Sequence, residues 1–280
     1  MSEWKVWITG ASGKIGQALI KYLDPMKYVV LATDKDLDVT DLNEVTKYAE
    51  MNRPDVIINC AAITGFENCE INQLEAYRVN VLGARNTATA AQRIRAKIIQ
   101  ISTDDVFSGE NSSPLTEFDT PVPTTIYGKS KLAAEGFVRE LNPKHIIVRS
   151  SWVYDMSQFS LLTEVFESAK NGNKVKVCVN QFSSPTSAEA FCHLIITLME
   201  SNEYGIFHAS CEGSCSRYEF AKKALEIAEL PTDCLEEDTM VVNGQGGTIV
   251  LENLMLKMTG VDTMESWEKE LERYLDKVWK

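Results

Sequence analysis

Val6-Trp7-Ile8-Thr9-Gly10-Ala11-Ser12-Gly13-Lys14-Ile15-Gly16 decides the fold. A short apolar run ends in a glycine-rich turn, and the amphipathic stretch Lys14–Leu23 follows at once. Gly10 takes the chain sharply off the strand, Gly13 lets backbone approach a phosphate, and Gly16 lets the helix pack tightly on the sheet. Ser12, Lys14 and Ile15 complete this turn. The helix start then offers unpaired N–H groups and a partial positive charge to a pyrophosphate. Three glycines at these intervals also occur by chance in loops. The strand before them and the helix after them make the reading specific.

The same rhythm continues outward. Apolar runs at Lys5–Thr9, Tyr28–Thr33, Asp55–Asn59, Lys97–Ser102 and His145–Arg149 alternate with helix-like stretches at Lys14–Leu23, Leu42–Met51, Leu74–Arg93 and Ile126–Leu141. This pattern predicts an α/β fold, a Rossmann-type doubly wound parallel sheet with helices on both faces. A nicotinamide dinucleotide-binding domain is expected over residues 1–150. A smaller α/β substrate domain is expected mainly over 151–280, parts of which can return to the first. The proline-rich segment Ser108–Thr125 reads as a substrate-facing loop rather than a passive linker. Asp233–Thr248 is a second interruption.

Composition narrows the function classes. Of 280 residues, 44% are hydrophobic and 24% charged, ordinary values for a soluble globular protein. No apolar run reaches the ~20 residues of a membrane helix, and the first strand begins too early for a signal peptide. A net charge of −12 without basic stripes argues against nucleic acid as a partner. Seven cysteines, an odd and scattered set, read as reduced thiols in a cytoplasmic protein. Cys211, Cys215 and His208 lie near one another, but no second ligand pair supports a metal site. The oligomeric state stays open, with a homodimer one option.

Asp34 stands 18 residues beyond Gly16 at the end of the second strand, where a carboxylate can bond the adenosine ribose hydroxyls. It would repel a 2′-phosphate, so NADH is favoured over NADPH, with Lys35 partly offsetting. Asp38 and Val39 fall where a loop could clasp the adenine. Ser102-Thr103-Asp104-Asp105 ends the fourth strand, and ligands bind at such strand ends. Tyr127 and Lys131 share one helix face, about 6 Å apart along the axis. Thr103 can bond a reacting carbonyl oxygen while Tyr127 gives it a proton. An ammonium about 5 Å away, at an effective dielectric of ~20, would favour phenolate by roughly 3 kcal/mol. That lowers the Tyr127 pKa by about two. Lys131 can also hold the nicotinamide ribose.

Taken together these segments resemble the extended short-chain dehydrogenase/reductase family, and within it the dTDP-4-dehydrorhamnose reductases. The resemblance spans almost the whole chain through Arg53–Thr64, Ser102–Phe107, Tyr127–Glu135, Val148–Tyr154 and Asn180–Thr186. It implies an NAD(P)H-dependent reductase of a 4-keto-6-deoxy nucleotide sugar, with Thr103, Tyr127 and Lys131 catalytic. It places Ala61, Ala62, Thr64 and Asn80 on the cofactor side. Asp104, Asp105, Trp152, Gln181, Pro185 and Thr186 fall to the substrate side. Two departures stand out. Asp105 replaces the family's usual tyrosine and makes the segment look like the Thr-Asp-Glu of nucleotide-sugar dehydratases. The family's C-terminal Arg-Pro pair, whose arginine could clamp a diphosphate, is replaced by Gln245-Gly246-Gly247. The alternatives are a dehydratase or epimerase of this family, or a non-catalytic dinucleotide-binding subunit of the kind that regulates methionine adenosyltransferase.

Overall fold

The computed structural model describes residues 4–110, 113–157, 160–239, 247–261 and 263–279. Trp4–Thr9 forms β1, Lys14–Tyr22 α1, Tyr28–Thr33 β2, Leu42–Asn52 α2 and Val56–Asn59 β3. Beyond them lie Phe66–Ile71 (α3), Gln73–Tyr77 (α4), Gly83–Ile94 (α5), Lys97–Thr103 (β4), Ile126–Leu141 (α6) and His145–Ser150 (β5). Period-two alternation explains how β1 serves two cores. Val6 and Ile8 face one apolar cluster, with Leu19, Phe191 and Leu198. Trp7 faces the other, with Val45, Ala88 and Val138. All three β1 residues are fully buried, as a parallel strand covered on both faces requires.

The expected single helix over Leu74–Arg93 is broken. Arg78–Leu82, between α4 and α5, winds as a π-helix. Such bulges often mark functional sites. Here the bulge carries Asn80, whose amide bonds both the N–H and the carbonyl of Ile63 and the hydroxyl of Ser130. Gly83 then opens α5, where a Cβ would lie 3.0 Å from Val39 Cγ2.

The later elements are shorter. Val153–Tyr154 (β6), Leu161–Asn171 (α7), Val175–Cys178 (β7), Gln181–Ser183 (β8) and Thr186–Ser187 (β9) lead to Ala188–Glu200 (α8) and Gly205–His208 (β10). Cys215–Ser216 (β11), Arg217–Ile227 (α9), Leu235–Asp238 (β12), Gly247–Thr248 (β13), Leu254–Thr259 (α10) and Trp267–Val278 (α11) complete the chain. The main sheet is six-stranded and parallel, in the order β10-β5-β4-β3-β1-β2. Strand order reverses between β1 and β3, which opens a ligand crevice beyond their carboxyl ends. The chain therefore does not stay on the substrate side after Ser150. It returns so that β10 pairs with β5 and α8 packs on α1.

A separate core, with Tyr154, Phe166, Phe220, Trp267 and Leu271, holds α7, α9 and α11 together. The loop before α6 is tied down. Leu115 exchanges backbone hydrogen bonds with Val250 and Glu252, and Glu117 Oε1 accepts from the amides of His208 and Met255. No helix among the described residues is long and apolar enough to cross a membrane.

Candidate active site

The glycine turn builds a cradle that side chains would fill. A Cβ on Gly10 would lie 2.6 Å from the Ala61 nitrogen, and one on Gly16 2.5 Å from the Gly10 carbonyl oxygen. Gly10 also has φ +64°, a conformation glycine adopts without strain. Gly13 caps α1 with no side-chain hydrogen bond, so no cap side chain occupies the first-turn amides. Gly13, Lys14, Ile15 and Gly16 line a cavity of about 400 Å³. Gly10, Ser12 and Gly13 also line a second one, of about 610 Å³, together with Asp34, Lys35, Asp38, Val39, Ala61 and Ala62. Shared walls at Gly13, Cys60 and Ala62 join the two. Free amides at the joint and a carboxylate beyond it suit a dinucleotide: pyrophosphate between, adenosine in the larger cavity. Asp34 accepts a hydrogen bond from the Ser12 hydroxyl.

Thr103, Tyr127 and Lys131 line the smaller cavity, with Thr64, Asp104, Asp105 and Trp152. Thr103 ends β4, and its hydroxyl lies 3.2 Å from Asp104 Oδ1 and 3.3 Å from Asp105 Oδ2. Lys131 Nζ donates to the Ile101 carbonyl at 2.5 Å. Burial pulls its pKa down to about 8, against the opposing pull of Glu135.

The expected lowering of the Tyr127 pKa is overturned. Burial, then Asp105, then Asp104 push the phenol well above its ordinary value, and Lys131 does not offset them. Asp104 and Asp105, both meeting the one Thr103 hydroxyl, cannot both ionise cheaply. Burial and then the Asp104 charge raise Asp105 to about 7. Asp104 is raised by burial, although Ser151, Thr103 and Ser183 stabilise its carboxylate.

The two aspartates also open onto a third, more polar cavity, lined by Thr125, Trp152, Gln181, Ser183 and Arg217 among others. Trp152 stands at φ +37°, a strained position for a non-glycine residue. The Arg217 guanidinium lies 4.1 Å from its ring centroid, and Arg217 Nε donates to Gln181 Oε1 at 2.9 Å.

Three residues expected at the site line none of these cavities. Asn80 is buried behind the wall, bracing the Ile63 loop against α6. Pro185 is buried, and Thr186 is fully enclosed, its hydroxyl accepting from the Cys211 amide. Their place is in the packing behind the substrate side. Of the Gln245-Gly246-Gly247 departure, only Gly247 falls within the described residues, and it pairs with Gln181.

Arg217, Cys60, Ser150 and Phe191 reach the cavities without having been singled out in the sequence. Arg217 opens a helix after the capping pair Ser216–Glu219, so its sequence context reads as helix start and not as site.

Comparison with known proteins supplies the relationship. The chain is 34% identical to the spore coat polysaccharide biosynthesis protein SpsK of Bacillus subtilis over 275 residues, covering 97% of this chain and 96% of that protein. It is 36% identical over 225 residues to a dTDP-4-dehydrorhamnose reductase of Aggregatibacter actinomycetemcomitans, covering 78% and 76%. Its fold superposes with a TM-score of 0.95 on the crystal structure of Bacillus anthracis dTDP-4-dehydrorhamnose reductase in complex with NADP, at 36% identity and 99% coverage of both chains. The RmlD substrate binding domain model matches residues 4–279, and the chain belongs to that family.

Proposed function

We propose that the chain is an NAD(P)H-dependent reductase of a 4-keto-6-deoxy nucleotide sugar, of the dTDP-4-dehydrorhamnose type, in deoxysugar or polysaccharide precursor synthesis. One observation carries the reading: Thr103, Tyr127 and Lys131 converge on the cavity that the first turn of α1 also lines. The reductase name of one relative supports the same substrate class, and the polysaccharide biosynthesis name of the other supports the setting. A bound nicotinamide supplies the hydride. Thr103 orients the substrate carbonyl oxygen, and Tyr127 gives that oxygen its proton as negative charge develops. Burial, then the neighbouring carboxylates, raise the phenol's pKa further above neutrality, so it starts as the protonated donor the reaction needs. Lys131, which lines the same cavity, would hold the nicotinamide ribose.

Asp34 in the adenosine cavity favours NADH, and Lys35 beside it moderates that preference. Asp34→Ala should move the ratio of kcat/KM values about tenfold toward NADPH, from one lost charge repulsion. An unchanged ratio rejects the ribose contact. Reduced thiols and a nicotinamide cofactor suit the cytoplasm, and a homodimer is the assembly we propose.

The Asp104–Asp105 pair favours a second reading, a dehydratase that moves protons between two acids. Cofactor absorbance separates the two. A reductase consumes NADH or NADPH when given dTDP-4-dehydrorhamnose. A dehydratase turns over a 4-hydroxy sugar nucleotide with no net consumption. If no 4-keto nucleotide sugar drives oxidation of either cofactor, the reductase reading is wrong.

A further inference from the structure

We infer that Arg217 binds the diphosphate of the nucleotide-sugar substrate, a task the chain's C-terminal segment has no arginine at the expected place to perform. The inference rests on the reductase reading above. The third cavity carries two carboxylates, Asp104 and Asp105, and among the described residues lining it Arg217 is the one cation. A diphosphate entering there meets negative charge unless this guanidinium meets it first.

Arg217 is also held ready for an anion. Its planar group stacks on Trp152 at 4.1 Å, and its Nε is committed to Gln181 at 2.9 Å. The two terminal nitrogens donate to no group among the described residues. They form the edge that can bond two phosphate oxygens at once. Fixing the fork beforehand reduces the ordering cost that a free arginine meets on binding.

The platform is itself expensive. Trp152 keeps a left-handed backbone, which persists where surrounding structure enforces it. Here β6 and β9 pair immediately after it, Val153 with Thr186. Trp152 lines both the smaller cavity and the polar one. Arg217 lines the polar cavity and Tyr127 the catalytic one, and Trp152, Asp104 and Asp105 are the walls the two share, so a sugar held at Thr103 can extend its non-reacting end toward Arg217.

The competing role for Arg217 is simply to neutralise Asp104 and Asp105. Titration of dTDP into the NADP-loaded protein, with steady-state kinetics on dTDP-4-dehydrorhamnose, decides between them. Arg217→Gln should weaken dTDP binding about 10- to 100-fold, the effect of losing a charge-assisted pair. KM should rise comparably, with kcat within about threefold. Arg217→Lys keeps the charge without the fork and should recover part of the affinity. NADPH affinity, which Arg217 does not touch, should hold in both variants and reports the fold.

Wild-type dTDP affinity in Arg217→Gln overturns the inference. So does full rescue of that variant by adding Asp105→Asn, since neutralisation alone would then explain the defect. If the unaltered protein neither binds dTDP nor reduces any 4-keto nucleotide sugar, the reductase reading itself has failed. That result is distinct from either of the others.

Discussion

Tyr127 holds its proton more tightly than a free phenol because it is buried beside two carboxylates. Removing the hydroxyl removes the proposed proton donor and leaves the ring's packing in place. Tyr127→Phe should lower kcat about 10³-fold, within the range of general acid catalysis, while cofactor affinity changes less than about twofold. A variant that keeps a tenth of the rate would assign the proton to another group. Asp105 makes a separate prediction. Its folded-state pKa, about 7, lies above the ordinary 3.8. The folded protein therefore keeps a proton that the unfolded chain releases, and stability falls as pH rises through that window. Asp105→Asn should flatten most of this slope, leaving the part that Asp104 carries, and raise stability above pH 7 by roughly 2–4 kcal/mol. Denaturant midpoints at pH 5 and pH 8 measure it, and an equal wild-type midpoint at both would contradict it.

At the level of elements, the chemistry depends on how closely α6 meets the end of β4. Thr125 caps α6 by accepting from the Gly128 amide at 3.0 Å. Gly128 itself leaves no room: a Cβ there would lie 2.0 Å from the Asp105 carbonyl oxygen. Gly128→Ala must therefore shift backbone against backbone, moving Tyr127 relative to Thr103. We expect kcat to fall about 10- to 100-fold, and the thermal midpoint to drop with the overpacking. The larger cavity, with Asp34 and Asp38, lies on other elements and should bind the adenosine half proposed for it nearly as before. Unaltered kcat would mean that α6 and β4 tolerate the displacement. The π-helical turn belongs to the same arrangement, because Asn80 ties the Ile63 loop to Ser130 of α6.

Across the whole molecule, a buried polar chain links the sheet to the loop before α6. Arg149 on β5 donates twice to Glu135 of α6, at 2.9 and 2.7 Å, and Ser102 on β4 donates to the same carboxylate at 2.6 Å. His208 on β10 continues the chain. Its ring lies 3.5 Å from Arg149, and its amide donates to Glu117 of the loop before α6. Burial, then Arg149, depress the His208 pKa to about 3, so the ring is neutral at any working pH. Breaking one partner of a buried pair leaves an uncompensated charge. Glu135→Gln should destabilise the protein by roughly 3–5 kcal/mol. Chemical denaturation followed by both tryptophan fluorescence and circular dichroism would report it, and a loss below about 1 kcal/mol would mean the pair is screened.

The sequence by itself determined the parallel sheet, the glycine cradle and the Thr103, Tyr127 and Lys131 group. Strand alternation, the turn after β1 and the spacing along one helix are local properties, written within a few residues of each other. Membership of the sheet was local only for its first five strands. That β10 returns to pair with β5 depends on the apolar face of α8 finding α1, a contact far apart in the chain. The tertiary structure alone decided the electrostatics. Lys131 sits where helix spacing puts it, yet burial and two aspartates set the state of Tyr127, because desolvation depends on everything packed around a group. It alone brought Arg217, the first residue of α9, under Trp152 and into one cavity with the aspartates that follow β4. It also withdrew Pro185 and Thr186 behind the wall, since sequence spacing carries no record of which side of a turn faces a cavity.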